Sequence, residues 1–429
     1  MSKTVSFPTG FLSEPTPASD NWLTQSNIQA QKALSELSIP TRKTEAWKYS
    51  SQYLDLSDTL AAQPDSRDTQ SHLQDFGGYR IVFVNGIFDA AESRLPADSN
   101  ALEVTAFSSA TAEQIELIQT RLSENIGDNS LPFATLNSAR VRDGLLLSIK
   151  KNAVLDQPIQ LIFDTQTESA GSIYPRIIIE AETNTEATVI EEYTGPENAQ
   201  QLTNTVCQIN LAPQARLTTI RLGMEAETVQ HVGLTTVNCA RDSHYASHCI
   251  GFGGKLRRHD LRLNLLEAGA NCVLNGVYIT QGKQHYDNHT LIEHVAPHCT
   301  SEETYRGIAA DESHGIFNGK ILIHRDAQKS LGNMSNKNLL LSSNAEIDTK
   351  PELEIYADDV KCAHGATVGQ LDKEALFYLL SRGIGYQEAM SMLSLGFINE
   401  LIEQVPNEQV RDLVVARLEA FLANAFASE

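Results

Sequence analysis

The sequence lacks the features that mark several large classes of protein. No stretch approaches the ~20 consecutive apolar residues that a membrane-spanning helix needs. The N-terminus, MSKTVSFPTGFLSEPTPASDNW, has no apolar segment of ~7–15 residues before a small-residue cleavage site, so we expect no secretion through a cleaved signal. Basic residues are outnumbered by acidic ones, 33 to 54, and a net charge of -21 disfavours binding to nucleic acid or an anionic membrane.

Several catalytic signatures are also missing. There is no GxxxxGK[ST] phosphate loop, so the chain does not encode ATP hydrolysis of that type, and there is neither a GxSxG elbow nor an HExxH motif. The GFGG at 251–254 is followed by basic residues rather than by a helical pattern, so it is not a dinucleotide-binding fingerprint. The residues therefore indicate no complete catalytic set.

Cysteine is sparse and never occurs as a CxxC pair. This excludes zinc ribbons and the common ferredoxin spacings for the six cysteines at 207, 239, 249, 272, 299 and 362. In a chain of this length without a signal, they are expected to be reduced thiols of a cytoplasmic protein. The simplest interpretation of each is a small buried apolar residue.

Residues 1–144 combine helical patterns with a short hairpin. Leu23, Ala30, Leu34 and Leu37 fall on one helical face that ends before Pro40, and a capping box at Thr111 and Gln114 begins a second helix. The segment YRIVFVNGIF (79–88) predicts two strands around Asn85-Gly86. We expect a mainly helical N-terminal domain with this hairpin.

Residues 145–365 lose the helical period and show short β-branched runs between recurring turns. The turn-like segments begin at 184, 212, 240, 267, 295 and 325, at intervals of 27 to 30 residues. A fixed period of this size, without helices between the strands, predicts a parallel β-helix of about eight or more coils. The rival is an antiparallel β-sandwich, which would show hairpin turns every ~8–12 residues and gives no reason for the longer recurrence.

Residues 366–429 return to helix. Asp372 caps a predicted helix over 373–382 that Gly383 ends, and a second follows over about 386–404. The third begins after Pro406-Asn407 and has an apolar stripe of Val410, Leu413, Val414, Leu418, Phe421 and Leu422. Such stripes are first of all core packing that covers the end of a solenoid, and alternatively a groove for a partner.

Histidine is concentrated, with eleven of the twelve between 231 and 364. His244, His248 and Cys249 form one cluster, and His294, His298 and Cys299 form another. Residues four apart on a strand share a face, and the repeat suggests stacking of Cys272 on Cys299 and of His244 on Asn271 and His298. These groups are interpreted either as iron or zinc ligands or as an inward ladder of thiols with histidines outside; no cluster has four ligands at a recognised spacing.

The segment YADDVKCAHGATVG (356–369) carries the most specific candidates. Cys362 and His364 are two residues apart and share a face of an extended strand. Neighbouring Lys361 or a protonated His364 is expected to lower the thiol pKa, which favours the thiolate that binds metal. The alternative is a surface turn that ends the last coil.

Four stretches together resemble one known family. They are PTRKTEAWKYS (40–50), VFVNGIF (82–88), FATLNSARVRDG (133–144) and YADDVKCAHGATVGQLDKEALFYLLSRGI (356–384). They are similar to the SufB/SufD family of iron–sulfur cluster assembly scaffolds. EAWKYS and Cys-x-His-Gly-Ala-Thr favour the SufD branch over SufB. SufB is also usually longer, and many of its members carry an N-terminal cysteine cluster that is missing here.

The resemblance implies a fold, partners and a site. The fold is mainly β, a right-handed parallel β-helix core (145–365) between the N-terminal domain (1–144) and a C-terminal helical domain (366–429) that docks the ABC-type ATPase SufC. The end of the β-helix pairs with SufB, or with a second copy when the chain is alone. The family's interface histidine falls on His364, near Cys362, where iron or a nascent cluster is held transiently in the assembled complex, with none expected on the isolated chain.

Three functions remain open on the sequence. The first is this non-catalytic, cytoplasmic scaffold, which helps iron acquisition while ATP hydrolysis belongs to SufC. The second is a β-helix enzyme acting on polysaccharide, against which stand only 7% aromatic residues and no repeated pair of acids at one coil position. The third is a purely structural solenoid.

Overall fold

The computed structural model describes residues 5–13, 22–57, 74–97, 100–165, 170–196 and 200–427, with side chains to residue 423. The helices in these ranges are α1 (Thr9–Leu12), α2 (Trp22–Leu34), α3 (Ala112–Ser123), α4 (Pro132–Arg140), α5 (Lys373–Ser381), α6 (Tyr386–Glu403) and α7 (Glu408–Ala427). The strands are β1 (Tyr79–Val84), β2 (Ile87–Arg94), β3 (Leu102–Ala106), β4 (Leu145–Ile149), β5 (Ile159–Asp164), β6 (Gly171–Ile173), β7 (Arg176–Ala181), β8 (Glu186–Thr194), β9 (Gln201–Leu211), β10 (Arg216–Gly223), β11 (Gln230–Cys239), β12 (His244–Phe252), β13 (Leu256–Leu265), β14 (Asn271–Thr280), β15 (His285–His294), β16 (Thr300–Ala309), β17 (His314–Ile323), β18 (Leu331–Leu340), β19 (Glu346–Ile355) and β20 (Lys361–Gly369).

The strands form two facing sheets of a β-solenoid of about 8 turns. The first sheet runs β2-β1-β5-β8-β10-β12-β14-β16-β18-β20, and the second runs β19-β17-β15-β13-β11-β9-β7-β4-β3, with β6 beside β9. From β5 to β20 neighbouring strands pair in parallel, for example β10 with β12 and β12 with β14. The predicted parallel β-helix is therefore confirmed, and the antiparallel sandwich is wrong.

The recurring turns have a common backbone requirement. Within the described chain, a residue with positive φ occupies corresponding turns of successive coils: Asn184 (φ 59), Gln214 (φ 63), Asp242 (φ 56), Gly269 (φ 78), His298 (φ 61) and Lys329 (φ 59). The left-handed region is sterically open to Gly and tolerated by Asn and Asp. A turn that repeats once per coil therefore leaves a trace in the sequence at nearly constant spacing, which is the recurrence that predicted the solenoid.

The interior of the solenoid combines a continuous apolar core with a few buried polar side chains, such as the ion pair of Arg221 with Glu191. Alternate residues of each strand point inward, and the core joins Ile81 and Phe83 of β1 to Phe317 and Ile321 of β17. Burying each large aliphatic side chain contributes about 1.5–3 kcal/mol, so stacked coils stabilise one another. Five cysteines are buried, as expected, and Cys362 alone is half-buried.

The N-terminal region supplies both helices and solenoid strands. The predicted hairpin is confirmed, with Asn85 and Gly86 at φ 50 and 78 in the turn between β1 and β2. β1 then pairs in parallel with β5, so the hairpin extends the first sheet. The predicted capping box is also confirmed: the Thr111 and Gln114 side chains each bond the other's backbone N–H. Helices α2 and α4 pack with Trp47 against the outer face of the second sheet.

The C-terminal helices cover the outer face of the first sheet. The predicted stripe of α7 is confirmed as core packing: its apolar residues lie with Ile220 and Ile250 in one buried cluster. Asp372 caps α5 by accepting hydrogen bonds from the N–H groups of Glu374 and Ala375, and Gly383 adopts φ 87 after the helix, as predicted. Unlike α7, however, α5 buries none of its residues.

Candidate functional site at the open end of the solenoid

The strand that carries Cys362 and His364 lies at the end of the first sheet. β20 pairs with β18 along one edge, and no strand among the described residues pairs with its other edge. The Lys361 N–H donates to the carbonyl of Ser330 at 3.0 Å. Because N–H groups alternate between the two edges of a strand, those of Cys362, His364 and Ala366 point away from β18. The last strand thus presents a row of backbone groups to a partner.

Cys362 and His364 share the inner face of this strand, as their spacing predicted. Cys362 pairs in register with Gly332, which pairs in turn with Ser301. His364 pairs with Met334, which is 3% exposed and belongs to the core. Each of these two series of register partners lies on the inner faces of successive coils. No other described strand stacks on the last coil, so this pair of ligands lies at the open end of the solenoid.

The Cys362 thiol is less acidic than the sequence suggested. Burial raises the pKa of Cys362, and the hydrogen bond from the Gly332 backbone N–H offsets only part of that effect. Neither Lys361 nor His364 contributes to the shift, so the expected lowering of this pKa is wrong for the isolated chain. A soft sulfur ligand remains at the site, but a metal or a new cationic neighbour has to displace its proton.

His364 is exposed on β20. Among the described residues, none forms a hydrogen bond or an ion pair with its imidazole. Neutral imidazole is a good ligand for iron and zinc. His364 and Cys362 therefore offer one nitrogen and one sulfur ligand side by side, which is half of the set that an iron–sulfur cluster commonly takes.

The His244 cluster does not converge on one site. His244 stacks on Asn271 as predicted, and its Nδ1 lies 2.5 Å from the Asn271 Oδ1. His248 lies on the outer face, where burial lowers its pKa to about 4, whereas Cys249 points into the core. Strand alternation separates the two side chains, so in this cluster the thiol points inward and His248 outward. His294 of the other cluster points inward instead, because it pairs with Leu265 of the core.

The cluster of His294, His298 and Cys299 does not converge on one site either, for a different reason. His298 adopts φ 61 in a turn, so it does not share a strand face with His294, which ends β15. Its predicted stacking on Asn271 is wrong, because Asn271 pairs with Thr300. The predicted stacking of Cys272 on Cys299 is wrong as well, since Cys272 pairs with Ser301. The coil here is 29 residues long rather than 27, as the Asn271–Thr300 spacing shows. The two additional residues move every register partner in this coil by two positions.

A second exposed feature lies just after the site. The α5 helix and the start of α6 leave five large apolar side chains in solvent, with exposures from 37% to 72%: Phe377, Tyr378, Leu380, Tyr386 and Met392. A group of exposed large apolar side chains is typical of a protein-binding surface. We call it the α5–α6 patch.

Comparison with known families agrees with the geometry. The family model described as "SUF system FeS cluster assembly, SufBD core domain" matches residues 163–397, and the model described as "SufBD protein N-terminal region" matches residues 16–161. This chain belongs to the SufB/SufD family. The boundary between the two models falls near β5, inside the first sheet, which shows that the N-terminal region and the solenoid form a continuous structure.

Two relatives are similar over about nine tenths of the chain, and a third over about two thirds. The iron-sulfur cluster assembly protein SufD of Escherichia coli is 31% identical over 92% of this chain and 93% of its own length. An iron-sulfur cluster assembly SufBD family protein of Synechocystis is 30% identical over 90% of this chain and 88% of its own. Protein ABCI7 of Arabidopsis thaliana chloroplasts is 29% identical over 69% of this chain.

Two further findings concern the described residues. None of their helices combines the length and the apolar character needed to cross a bilayer. Sequence reasoning also missed a group of ligand-type side chains, His314, Glu346 and Asp348, on the outer face of the last coils. The sequence period does not pair these residues, because His314 and its register partner Glu346 are 32 residues apart, outside the turn period of 27–30 residues.

Proposed function

We propose that this chain is a non-catalytic scaffold subunit of iron–sulfur cluster assembly. In this proposal it works in the cytoplasm with SufB and with SufC, helps to acquire iron, and forms the nascent cluster at its interface with SufB. ATP hydrolysis in SufC drives the process. The observation that carries the proposal is the position of Cys362 and His364 on the uncovered inner face of the last coil, in a chain of the SufB/SufD family.

The cluster is cargo in this proposal rather than a resident cofactor. Cys362 and His364 supply two ligands, whereas a cluster commonly takes four, so the partner has to supply the others. The isolated chain is accordingly expected to hold little iron. Desolvation at the joined interface would strengthen the attraction between a bound iron ion and the thiolate, which favours loss of the Cys362 proton.

The edges of the last strands support a partner at this end. β19 and β20 each end a sheet, and both expose backbone groups to which another strand can add. SufB is the proposed occupant in the assembled complex, and a second copy of this chain occupies the same edge when SufB is absent. In both cases strand pairing would hold the partner's ligands opposite Cys362 and His364.

The α5–α6 patch is the proposed docking surface for SufC. Phe377, 72% exposed, and Tyr378, 55% exposed, lie on a helix that contributes nothing buried to its own chain. Large aromatic side chains at an interface carry much of the binding free energy. The patch follows β20 directly in sequence, so a movement imposed on α5 by ATP turnover acts close to the cluster site. Family membership gives no support to the alternative of a polysaccharide-active enzyme.

Strand pairing at β20 provides the test. The full chain is used to recover partners from a lysate, and SufB and SufC are identified by mass spectrometry. Replacing Ala366, whose N–H points away from β18, by proline removes an edge donor, so Ala366→Pro is expected to lose SufB and to keep SufC. The control Ala366→Ser keeps the N–H and should recover both. Equal recovery of SufB by Ala366→Pro would contradict pairing through this edge.

A further inference from the structure

A histidine and two carboxylates meet on the outer face of the second sheet. His314 begins β17 and pairs in register with Glu346, the first residue of β19. Asp348 is two residues further along β19, so it lies on the same face as Glu346. One ligand atom from each residue lies within 4.8 Å of the other two, and the His314 Nε2 is 2.8 Å from the Asp348 Oδ2.

This group is separate from the cluster site. Phe317 of β17 is part of the inner core, so His314, three residues earlier, belongs to the opposite set of side chains on that strand. Cys362 and His364 lie on the inner face of β20, in the other sheet. A ligand on His314 would therefore sit outside the solenoid wall, and a cluster on His364 would sit at its open end.

The surroundings of His314 restrict its imidazole. The His285 ring lies one coil below, with centroids 4.9 Å apart at 78°, and the Tyr49 ring meets His314 edge-on at 5.9 Å. His285 is fully buried, and no described residue bonds its Nδ1. His314 itself is 7% exposed, so its ring is held in place while Glu346 remains open to solvent. A fixed imidazole beside carboxylates that solvent reaches suits a site that admits an ion from outside.

The nearest lysine does not neutralise this group. Lys350 follows Asp348 on the same face, but its Nζ is 2.8 Å from Glu45 and 2.6 Å from Glu352. Its charge is therefore taken up by two other carboxylates. A cleft of about 240 Å³ lies beside Asp348 and leaves room for water on an ion; its lining includes Glu45, Ala46, Lys48, Tyr49 and Lys350.

The donor set selects a class of ion. One imidazole nitrogen and two carboxylate oxygens suit divalent first-row metals such as Mn²⁺, Fe²⁺ and Zn²⁺. Bonds of about 2.0–2.2 Å to nitrogen and oxygen place adjacent ligand atoms roughly 3–4 Å apart. The spacing in this group is compatible with that range after small side-chain rotations.

We propose that His314, Glu346 and Asp348 bind one divalent first-row metal ion on the outer face of the last coils, with water completing the coordination. The Nε2 of neutral His314 donates its lone pair to the metal, and the two carboxylates balance the metal's charge. This site goes beyond the scaffold function, because its ligands are side chains on the outer face of the second sheet. The proposed contact with SufB uses instead the backbone edges of β19 and β20 and the inner-face residues Cys362 and His364.

The test uses the full chain, stripped of metal by a chelator. Mn²⁺ is the probe, because it prefers oxygen and nitrogen ligands and avoids the six thiols. The electron paramagnetic resonance signal of free Mn²⁺ measures the unbound ion, and its difference from the total gives the bound ion. One bound ion per chain is expected. Glu346→Gln and Asp348→Asn should each weaken binding more than about tenfold, since even residues that only orient metal ligands cost 10–100-fold in affinity.

Two controls decide the outcome. Glu354→Gln changes another carboxylate of β19, and the double variant Cys362→Ala with His364→Ala changes the proposed cluster site; both should bind Mn²⁺ as the unchanged chain does. Mn²⁺ should also raise the melting temperature of the unchanged chain but not of Glu346→Gln. Binding that survives Glu346→Gln and Asp348→Asn, or that Glu354→Gln weakens equally, would overturn the proposal. Neither result bears on cluster assembly at His364, which is measured separately.

Discussion

The sulfur of Cys362 lies over Gly332 of the preceding coil: a Cβ atom at Gly332 would stand 3.5 Å from the Cys362 Sγ. The Gly332 N–H donates to the thiol, while the enclosed position raises the pKa of Cys362. Glycine at this place leaves the sulfur room against the core without closing it off from solvent. The register between β18 and β20 therefore sets both the reactivity and the accessibility of the proposed ligand.

The first prediction concerns this thiol. In the native chain, one cysteine per molecule should react quickly with a disulfide reagent such as DTNB, because Cys362 is half-buried and the other five are buried. Cys362→Ser should abolish that fast phase. Gly332→Ala adds a methyl group at ordinary contact distance, so it should keep the fold, raise the pKa of Cys362 further and slow its reaction at pH 8. A fast phase that persists in Cys362→Ser would mean that another thiol is accessible.

The second prediction concerns the two ligands. His364→Ala should leave folding and complex formation intact, because His364 is exposed and the backbone pairing of β20 does not use its side chain. Suf-dependent cluster assembly in cells should fall. Cys362→Ala should have a milder effect, because burial raises the pKa of this thiol and makes it the weaker of the two proposed ligands; a comparable fall would mean that the thiol is required as much as His364. Normal assembly with His364→Ala in an intact complex would make His364 a surface residue only.

The third prediction concerns the α5–α6 patch. Deletion of residues 366–429 would expose the core, because α6 and α7 cover apolar residues of the first sheet, so a surface substitution is the cleaner test of SufC docking. Phe377→Asp changes only an exposed side chain and should reduce SufC binding while the melting temperature stays the same. Ile28→Asp on α2, where 52% of the side chain is exposed, is the matched control and should bind SufC normally. Unchanged binding by Phe377→Asp would place the contact elsewhere.

The fourth prediction uses a carboxyl inside the solenoid. Glu303 is 1% exposed, no described residue forms a hydrogen bond with its carboxylate oxygens, and burial raises its pKa from 4.5 to about 7. Between these two values the unfolded chain loses the proton first, so this group destabilises the fold increasingly as pH rises from 4.5 to 7. The full penalty, at most about 3 kcal/mol, applies above that window.

Glu303→Gln removes this ionisation. Its free energy of unfolding should exceed that of the unchanged chain at pH 8, by up to about 3 kcal/mol, and should differ little at pH 4.5. Urea unfolding at both pH values measures the difference. Glu302→Gln, an exposed neighbour on the same strand, should show no such pH dependence. An equal gain at pH 4.5 and 8 would mean that packing, rather than ionisation, is responsible.

Local chemistry explains what could be predicted without the structure. A left-handed turn residue once per coil, as at Asn184 and Asp242, leaves a periodic signal in the chain, so the solenoid was visible in the sequence. Capping residues act within a few positions, so the helix start at Thr111 was visible too. The shared face of Cys362 and His364 follows from the two-residue repeat of any strand.

Tertiary structure decided what depends on the length of each coil and on neighbouring surfaces. His244 and Asn271 are 27 residues apart, whereas Asn271 and Thr300 are 29 apart, and this variation displaced the expected partners of Cys272. It also hid the meeting of His314 with Glu346. The exposure of Phe377 is equally a tertiary result, because α5 has an apolar pattern like that of α7 but finds no sheet beneath it. The sequence alone therefore determined which elements form and which way their side chains alternate, whereas the packing of coils and helices decided which side chains meet and which remain open to partners.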